Sequence, residues 1–442
     1  MNIHLVSLGC ARNLVDSEIM IGRLAERKGF QMIDDPSSAE VIIVNTCSFI
    51  QDAIEESIDT ILELAEYKKQ GKLKNLIVAG CLPERFKNDI ESTLPEVDAF
   101  IGTGAYDQIG DILEKLQKKA LGKKTIYPDP DILALQKYET PRLRSTMHMA
   151  YVKIAEGCSS RCTYCIIPKL RGRHRSRAIE DIRKESLSLV SSGVKELVLI
   201  AQESTFYGKD LVPPQGLAGL LDTLSGISPH IWIRVLYGHP QSMAKDMIKT
   251  IKTHDNICAY FDLPVQHASG RILKKMGRRY NTEFLKDLFL NIRSEIPAAA
   301  LRTTLITGFP GETEEDFDCL VEFVNDIRFD SLGVFTYSDA DDLPSHHLPN
   351  PVSYKVARER QDHIMAMQAE ISLERNHKHL NKTYTVLVEE NPEKGLFVGR
   401  TVFQAPEVDG VTFIRGESLT VGDFVDVCIN DVEEYDISGE LI

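Results

Sequence analysis

Nine cysteines hold most of the chemistry this sequence can do, and six of them fall into two groups of three. Cys158, Cys162 and Cys165 stand in Gly157-Cys158-Ser159-Ser160-Arg161-Cys162-Thr163-Tyr164-Cys165, a CxxxCxxC loop that follows a strand-like run at 151–156. A closed structural zinc site takes four ligands, commonly from CxxC pairs. No fourth cysteine or histidine adjoins this loop. Three thiolates on it leave a metal position vacant, as a cluster needs if it is to bind a substrate directly. The second group is Cys10, Cys47 and Cys81, spaced by 37 and 34 residues and each one to three residues beyond a short apolar run. Three thiolates there suit zinc with a fourth ligand, or a 4Fe–4S cluster with one iron left open. The plain alternative is that small, often-buried cysteines simply suit strand ends. Cys258, Cys319 and Cys428 match no ligand spacing and read as core or surface thiols.

The elements that must position these thiols are legible as periodicity. Apolar runs at 3–8, 41–44 and 76–79 are each followed by a helical pattern, at 15–28, 53–69 and 83–92. β-Branched runs alternating with amphipathic helices mean βαβ units and a parallel sheet. Such a sheet delivers its carboxyl ends to one edge, where ligands of open α/β sheets bind. Cys10, Cys47 and Cys81 are therefore expected to converge. Beyond 151–155 come strand-like runs at 196–201, 232–236, 259–263, 301–306 and 331–336, separated by helical patterns at 179–192, 217–225, 244–253, 284–295 and 314–327. Six strands with intervening helices predict a (βα)6 partial barrel with its site at the carboxyl edge. A long helical run at 353–380 hands over to short strands at 383–389, 396–398, 411–414 and 424–429, the pattern of a small antiparallel β-barrel of the oligonucleotide-binding type. The expected fold class is α/β. Its parts are a parallel-sheet domain at 1–120, a Lys-, Pro- and Asp-rich tether at 121–145, a barrel at 146–375 and a small β-barrel at 376–442.

Composition bounds the partners. The chain has 442 residues, 43% hydrophobic and 26% charged, ordinary for a globular protein with sizeable cores. No apolar run approaches the roughly 18–20 residues of a membrane helix, and the start lacks a secretory signal, so a cytoplasmic protein without a membrane partner is expected. An odd number of cysteines in such a chain argues against a disulfide framework. The formal charge is −14, with 13 basic against 20 acidic residues in 1–120 and 5 against 13 in 376–442. Acidic ends repel bare nucleic acid and attract a basic partner. The exception is Lys169–Arg177, with five basic residues and no acid. Placed just after the cluster loop, it either neutralises charge near the site, leads into a solvated helix or contacts RNA; Arg171 and Arg177 are its residues of interest.

The CxxxCxxC loop after a first barrel strand, with an aromatic residue before its third cysteine, resembles the radical S-adenosylmethionine superfamily. Over almost its whole length the chain is similar to one branch, the methylthiotransferases. The likeness is carried by Ser7-Leu8-Gly9-Cys10, Asn13, Asp16-Ser17-Glu18, Asn45-Thr46-Cys47, Gly80-Cys81, Cys165-Ile166-Ile167-Pro168 and Arg171-Gly172. Leu263-Pro264-Val265-Gln266-His267-Ala268-Ser269 and Gly308-Phe309-Pro310-Gly311-Glu312-Thr313 extend it. Ser-Leu-Gly-Cys at the first cysteine, Gln266-His267-Ala268-Ser269 and Ala405-Pro406-Glu407-Val408-Asp409-Gly410 resemble most the members that modify small-subunit ribosomal protein twelve. Ala11-Arg12 stands where that family usually has Pro-Lys, which keeps the positive charge and loses the turn proline.

The resemblance implies two 4Fe–4S clusters, one on Cys10, Cys47 and Cys81 and one on Cys158, Cys162 and Cys165, with the C-terminal part a TRAM domain. It implies two roles for S-adenosylmethionine, as radical source and as methyl donor. A 5′-deoxyadenosyl radical removes hydrogen from the β-carbon of an aspartate, sulfur is inserted and a methyl group is transferred. No side-chain base reaches the acidity of a methylene C–H, so no catalytic residue is expected beyond the cluster ligands. The implied contacts to S-adenosylmethionine are Tyr164, Gln202, Glu203, Gln266, Arg302 and Gly308, with Gln266 and Arg302 at strand ends facing the barrel mouth. Gln202-Glu203 stands where many relatives carry Gly-Gly-Glu. The expected partners are a basic ribosomal protein, free or within the small ribosomal subunit, and an electron donor such as a flavodoxin or ferredoxin. The alternative substrate is a transfer-RNA adenosine; the alternative of another class is a metal-stabilised ribosome-binding scaffold without chemistry.

Overall fold

The computed structural model describes residues 1–118, 120–133 and 135–442. Lys119 and Ala134, which belong to the expected first domain and tether, lie outside the described residues. The chain divides into two units, one comprising Met1–Ser145, Lys153–Arg161 and Cys165–Arg177, the other Thr146–Val152, Cys162–Tyr164 and Ala178–Ile442.

The first unit is built on a six-stranded parallel sheet in the order β2-β1-β3-β4-β5-β6. Its strands are β1 (Asn2–Ser7), β2 (Gln31–Met32), β3 (Val41–Thr46), β4 (Asn75–Gly80), β5 (Ala99–Ile101) and β6 (Thr125–Ile126). All six residues of β3 are buried, as both faces of a covered parallel sheet require. Ile42, Val44, Ile61, Leu76, Val78 and Phe100 are among the fully buried residues of one core. The helices Ala11–Ala25 and Gln51–Lys69 follow β1 and β3. Three strands went unseen in the sequence because β2, β5 and β6 are only two or three residues long, too short to show alternation. The described residues of 121–145, expected as a tether, fall within this unit. They supply β6, and Glu18 takes their far end through Arg142 Nε at 2.7 Å and the Ser145 amide at 2.8 Å.

Beyond that stretch the chain passes through β7 (Met149–Lys153) and an antiparallel ribbon of β8 (Ala155–Glu156) with β9 (Arg175–Ser176). The second unit contains the expected six-strand partial barrel. The strands β10 (Glu196–Ile200) and β11 (Trp232–Val235) form the sheet β11-β10-β7. A second sheet has the order β12-β13-β14, with β12 (Tyr260–Asp262), β13 (Ala300–Thr307) and β14 (Ser331–Thr336). A parallel bridge between Ile233 and Ile257 joins the two sheets side by side. The helix Gly270–Lys275, absent from the sequence reading, lies between β12 and β13.

The C-terminal strands β15 (Thr383–Glu393), β16 (Leu396–Thr401), β17 (Thr412–Arg415), β18 (Phe424–Val432) and β19 (Ile437–Leu441) close into a barrel. The expectation of a wholly antiparallel barrel is corrected at one seam, where β17 and β19 pair in parallel. Five strands closed in a ring cannot alternate direction all the way round. Val386, Val388, Phe397, Ile414, Val427, Ile429 and Ile437 fill its interior.

This small barrel docks on the amino ends of the large barrel's strands. Glu196, the first residue of β10, accepts from Arg234 Nε at 2.7 Å and from Arg400 Nη2 at 2.5 Å, and all three side chains are essentially unexposed. Arg234 also donates to the Val402 carbonyl at 2.8 Å. Asp409 takes the Tyr260 hydroxyl at 2.6 Å and lies 3.6 Å from Arg302. Buried charges persist only when paired, and removing one partner strands the others.

Two outcomes follow from this packing. Glu196→Ala leaves two guanidiniums buried without their carboxylate, and denaturant unfolding is expected to lose about 3–5 kcal/mol; a loss within the ±0.5 kcal/mol or so typical of surface substitutions contradicts the lock. His379 stacks on Phe403 at 4.2 Å, with Nδ1 2.7 Å from the Tyr384 hydroxyl. Burial, then the neighbouring Lys378, lowers its pKa from 6.5 to about 3. The unfolded chain therefore binds a proton that the folded chain refuses, so stability is intact above pH 6.5 and falls as pH drops towards 3. His379→Gln should flatten that acid limb by up to a few kcal/mol at about 1.4 kcal/mol per pH unit, read as melting temperature against pH; an unchanged slope contradicts it.

Candidate functional site

The three thiols of the first group are brought together by two glycines and a pair of asparagines, all within the first unit. Gly9 has φ +88°, and a Cβ on it would lie 2.7 Å from the Cys47 Cβ and 3.2 Å from its Sγ. Gly80, before Cys81, has φ +96°, and a Cβ there would lie 2.8 Å from the Thr46 carbonyl. The Cys10 and Cys81 turns thus press on the Cys47 turn so closely that only glycine fits. Buried Asn13 donates through Nδ2 to the carbonyls of Leu8 at 3.1 Å and Thr46 at 2.9 Å. Asn45 Nδ2 returns the contact to the Asn13 carbonyl and to Ser17 Oγ, each at 2.9 Å. Cys10, Cys47 and Cys81 thus end on adjoining turns, and the polar residues of the sequence motifs are what tie those turns together.

A buried ion network stands behind this site. Arg171 donates through Nη1 to Asp16 Oδ2 at 2.6 Å and through Nη2 to Asn13 Oδ1 at 2.5 Å, with Cys81 Sγ 3.8 Å from Nη2. Lys153 Nζ reaches Asp16 at 2.7 Å and Glu156 at 2.5 Å. Burial pushes the Cys81 thiol up to about 12, against the pull of Arg171. For Cys10 burial also acts upward, but Arg12, Arg171 and backbone amides outweigh it and the thiol ends below its ordinary value. Of the basic run 169–177, Arg171 reaches these thiols, whereas Arg175 holds the Pro130 and Leu133 carbonyls and Arg177 the Lys153 carbonyl.

Cys158, Cys162 and Cys165 follow one another on the loop after β8. In the first unit the Cys158 amide donates to the Gly172 carbonyl at 3.0 Å. In the second, Thr163 is pinned through its amide to the Met276 carbonyl at 3.1 Å and through Oγ1 to the Lys275 carbonyl at 2.9 Å. Tyr164 accepts at its hydroxyl from Arg278 Nε at 3.1 Å and Nη2 at 2.9 Å, and sits edge-on to Phe309. Arg278 also holds the Pro264 carbonyl at 2.9 Å and the Tyr280 hydroxyl. Arg278, Tyr280 and His239 were missed in the sequence, for they adjoin no cysteine and fall in no metal spacing. Burial, with Arg278 as the next cause, lowers His239 to about 4, so its imidazole is neutral.

Four of the expected cofactor contacts follow carboxyl ends of strands: Tyr164 beyond β7, Gln202 and Glu203 beyond β10, and Gln266 beyond β12. Glu203 accepts from Ser242 Oγ at 2.6 Å. Gln266 has φ +70° and bridges to β13, donating from its amide to the Thr304 carbonyl at 2.8 Å. One placement is corrected. Arg302 is the third residue of β13, far from its carboxyl end, and its guanidinium serves Asp262 at 2.9 Å and Asp409 at 3.6 Å. Gly308 is required by φ +77° and by Ala357, whose Cβ would lie 2.3 Å from an added methyl, while its amide is already given to Glu312 at 2.9 Å.

The donor sets fit iron–sulfur clusters. None of the six cysteines is in a disulfide. Among the described residues no three His, Cys, Asp or Glu side chains are drawn together for a single ion. A 4Fe–4S cluster gives each thiolate its own iron, so its ligands need not meet at one point.

Comparison with known proteins places the whole chain. Residues 2–102 match the uncharacterized protein family UPF0004, residues 152–324 the radical SAM superfamily and residues 382–442 the TRAM domain. The ribosomal protein uS12 methylthiotransferase RimO of Desulfosudis oleivorans is 51% identical, with all of both chains covered. Its namesake from Clostridioides difficile is 49% identical over 100% of this chain and 99% of that one. Among solved structures, the radical S-adenosylmethionine methyltransferase TsrM of Kitasatospora setae superposes with TM-score 0.59 at 12% identity, covering 78% of this chain and 74% of that one. The cobalamin-dependent radical enzyme OxsB superposes with TM-score 0.54 at 14% identity, covering 84% and 56%. At such low identity these two likenesses show the fold alone. With relatives this similar end to end, the chain belongs to the family of ribosomal protein uS12 methylthiotransferases.

Proposed function

We propose that the chain places a methylthio group on the β-carbon of an aspartate in ribosomal protein uS12, as a radical S-adenosylmethionine enzyme of the cytoplasm. The observation that carries this reading is the presence, on a chain alike end to end with the uS12 methylthiotransferases, of two separate sets of three cysteines outside any disulfide. Cys158, Cys162 and Cys165 would hold one 4Fe–4S cluster and Cys10, Cys47 and Cys81 the other. When bound, the first supplies the electron that splits S-adenosylmethionine, and the second offers an iron to the sulfur that is inserted.

The chain's own residues bind, orient and shield. Tyr164 is fixed by Arg278, so the aromatic ring beside the third cysteine has one orientation to offer an adenine. Glu203, oriented by Ser242, presents a carboxylate suited to the amino group of S-adenosylmethionine, with Gln202 and Gln266 as further polar contacts. The turn at Gly308–Glu312 gives the mouth its shape rather than a free amide. Positioning and exclusion of water are what a protein adds to cofactor-borne radical chemistry.

The acidic C-terminal barrel supports a protein substrate. Each phosphate neutralised needs a lysine or arginine, and 376–442 carries 5 basic against 13 acidic residues. A basic ribosomal protein, free or in the assembled subunit, suits that field. A flavodoxin or ferredoxin would supply electrons. No described helix is long and apolar enough to cross a membrane.

The test is mass spectrometry of ribosomal proteins and digested transfer RNA from a strain lacking this chain. Loss of the methylthio mark on the uS12 aspartate, restored by the wild-type chain and not by Cys158→Ala, is expected. Intact uS12 modification with loss of a methylthioadenosine in transfer RNA would assign the other substrate. The reduced chain should also release 5′-deoxyadenosine from S-adenosylmethionine; none released favours the scaffold.

A further inference from the structure

We propose that Arg171 sets the charge of the Cys10–Cys47–Cys81 centre, holding its reduction potential up and keeping its open iron receptive to an anionic sulfur ligand. This rests on the reading that those three cysteines hold a 4Fe–4S cluster. Arg171 is a positioning residue, acting on the reaction only through that centre.

The geometry is one-sided. Arg171 is 3% exposed, and its two terminal nitrogens face different surroundings. Nη1 points at carboxylates, 2.6 Å from Asp16 and 3.7 Å from Glu156. Nη2 points at a neutral amide, Asn13 Oδ1 at 2.5 Å, and at sulfur, Cys81 Sγ at 3.8 Å. Lys153 shares both carboxylates, so the two cations and two anions balance as a group. The side turned to the thiols is left positive. A neutral side chain would pack against neutral thiols without the cost of burying a guanidinium. A buried cation turned to sulfur makes physical sense where the sulfur is to be negative. Potentials of iron–sulfur centres follow net charge and hydrogen bonds to sulfur, and groups behind the ligands tune affinity as well. A cation favours the reduced, more negative state, so its loss lowers the potential. Loss of the Asp16 carboxylate uncovers more positive charge and raises it.

The experiment uses the full-length chain reconstituted without oxygen and a redox titration followed by electron paramagnetic resonance. The signal that S-adenosylmethionine leaves unmoved reports the Cys10 centre. Arg171→Gln should lower that potential, Asp16→Asn should raise it, and Arg171→Lys should stay nearest wild type. Titrated with hydrosulfide, Arg171→Gln should need about tenfold more than wild type for the same spectral change. A merely structural residue gives no opposite signs. Unchanged potentials in Arg171→Gln and Asp16→Asn, or shifts of the same sign, overturn the proposal. Should Arg171→Gln fail to hold its cluster, the rise in Asp16→Asn decides, and its absence is the overturning result. A wild-type chain with about four irons in place of about eight refutes the two-cluster reading itself, and this inference with it.

Discussion

Thiolates gathered at the edge of a buried sheet repel one another and lose their hydration. They persist as thiolates only if a metal or a cation answers them. The first unit is organised around that constraint. Burial alone leaves Cys81 with a proton at neutral pH, so the thiols would become ligands only as a metal displaced their protons. Until then Asn13, Asn45 and Ser17 hold the loops in place, and Arg171 supplies a cation locked by Asp16. Glycine at 9 and 80 is the steric side of the same requirement, because three chain turns must approach closer than a Cβ allows.

The second unit separates stability from chemistry along one axis. At the amino ends of its strands, Glu196, Arg234, Arg400, Asp409 and Tyr260 fasten the small C-terminal barrel. At the carboxyl ends lie Tyr164, Glu203, Gln266, Arg278 and His239. This division is the usual one for βα barrels, where the carboxyl face works and the amino face holds. The acidic domain therefore sits at the far end of the strands from the barrel mouth.

What the sequence made legible follows from signal length. β3 and β4 each carry a four-residue apolar run with a cysteine two or three residues beyond it, so strand, direction and thiol could be read together. β2 and β6 are two residues each and leave no periodicity. The CxxxCxxC loop was readable because its ligands are sequence neighbours. Arg278 was not, because it reaches Tyr164 across 114 residues. Arg302 misled because a charged residue on a strand looks the same in sequence whether it serves a ligand or, as here, carboxylates that include one from the C-terminal barrel. The neighbour that demands glycine at 308, Ala357, lies on a helix far along the chain, so no local motif reveals it. The parallel seam between β17 and β19 is a property of ring closure, which no single strand reveals.

The central claim is that each set of three cysteines holds its own cluster independently of the other. Iron and acid-labile sulfide analysis with Mössbauer spectroscopy, on the oxygen-free chain and on variants with either set changed to alanine, addresses it most directly. The account predicts about eight irons in the intact chain and about four in each variant, all as 4Fe–4S. Zinc at either set, or both clusters lost when one set is removed, would contradict it.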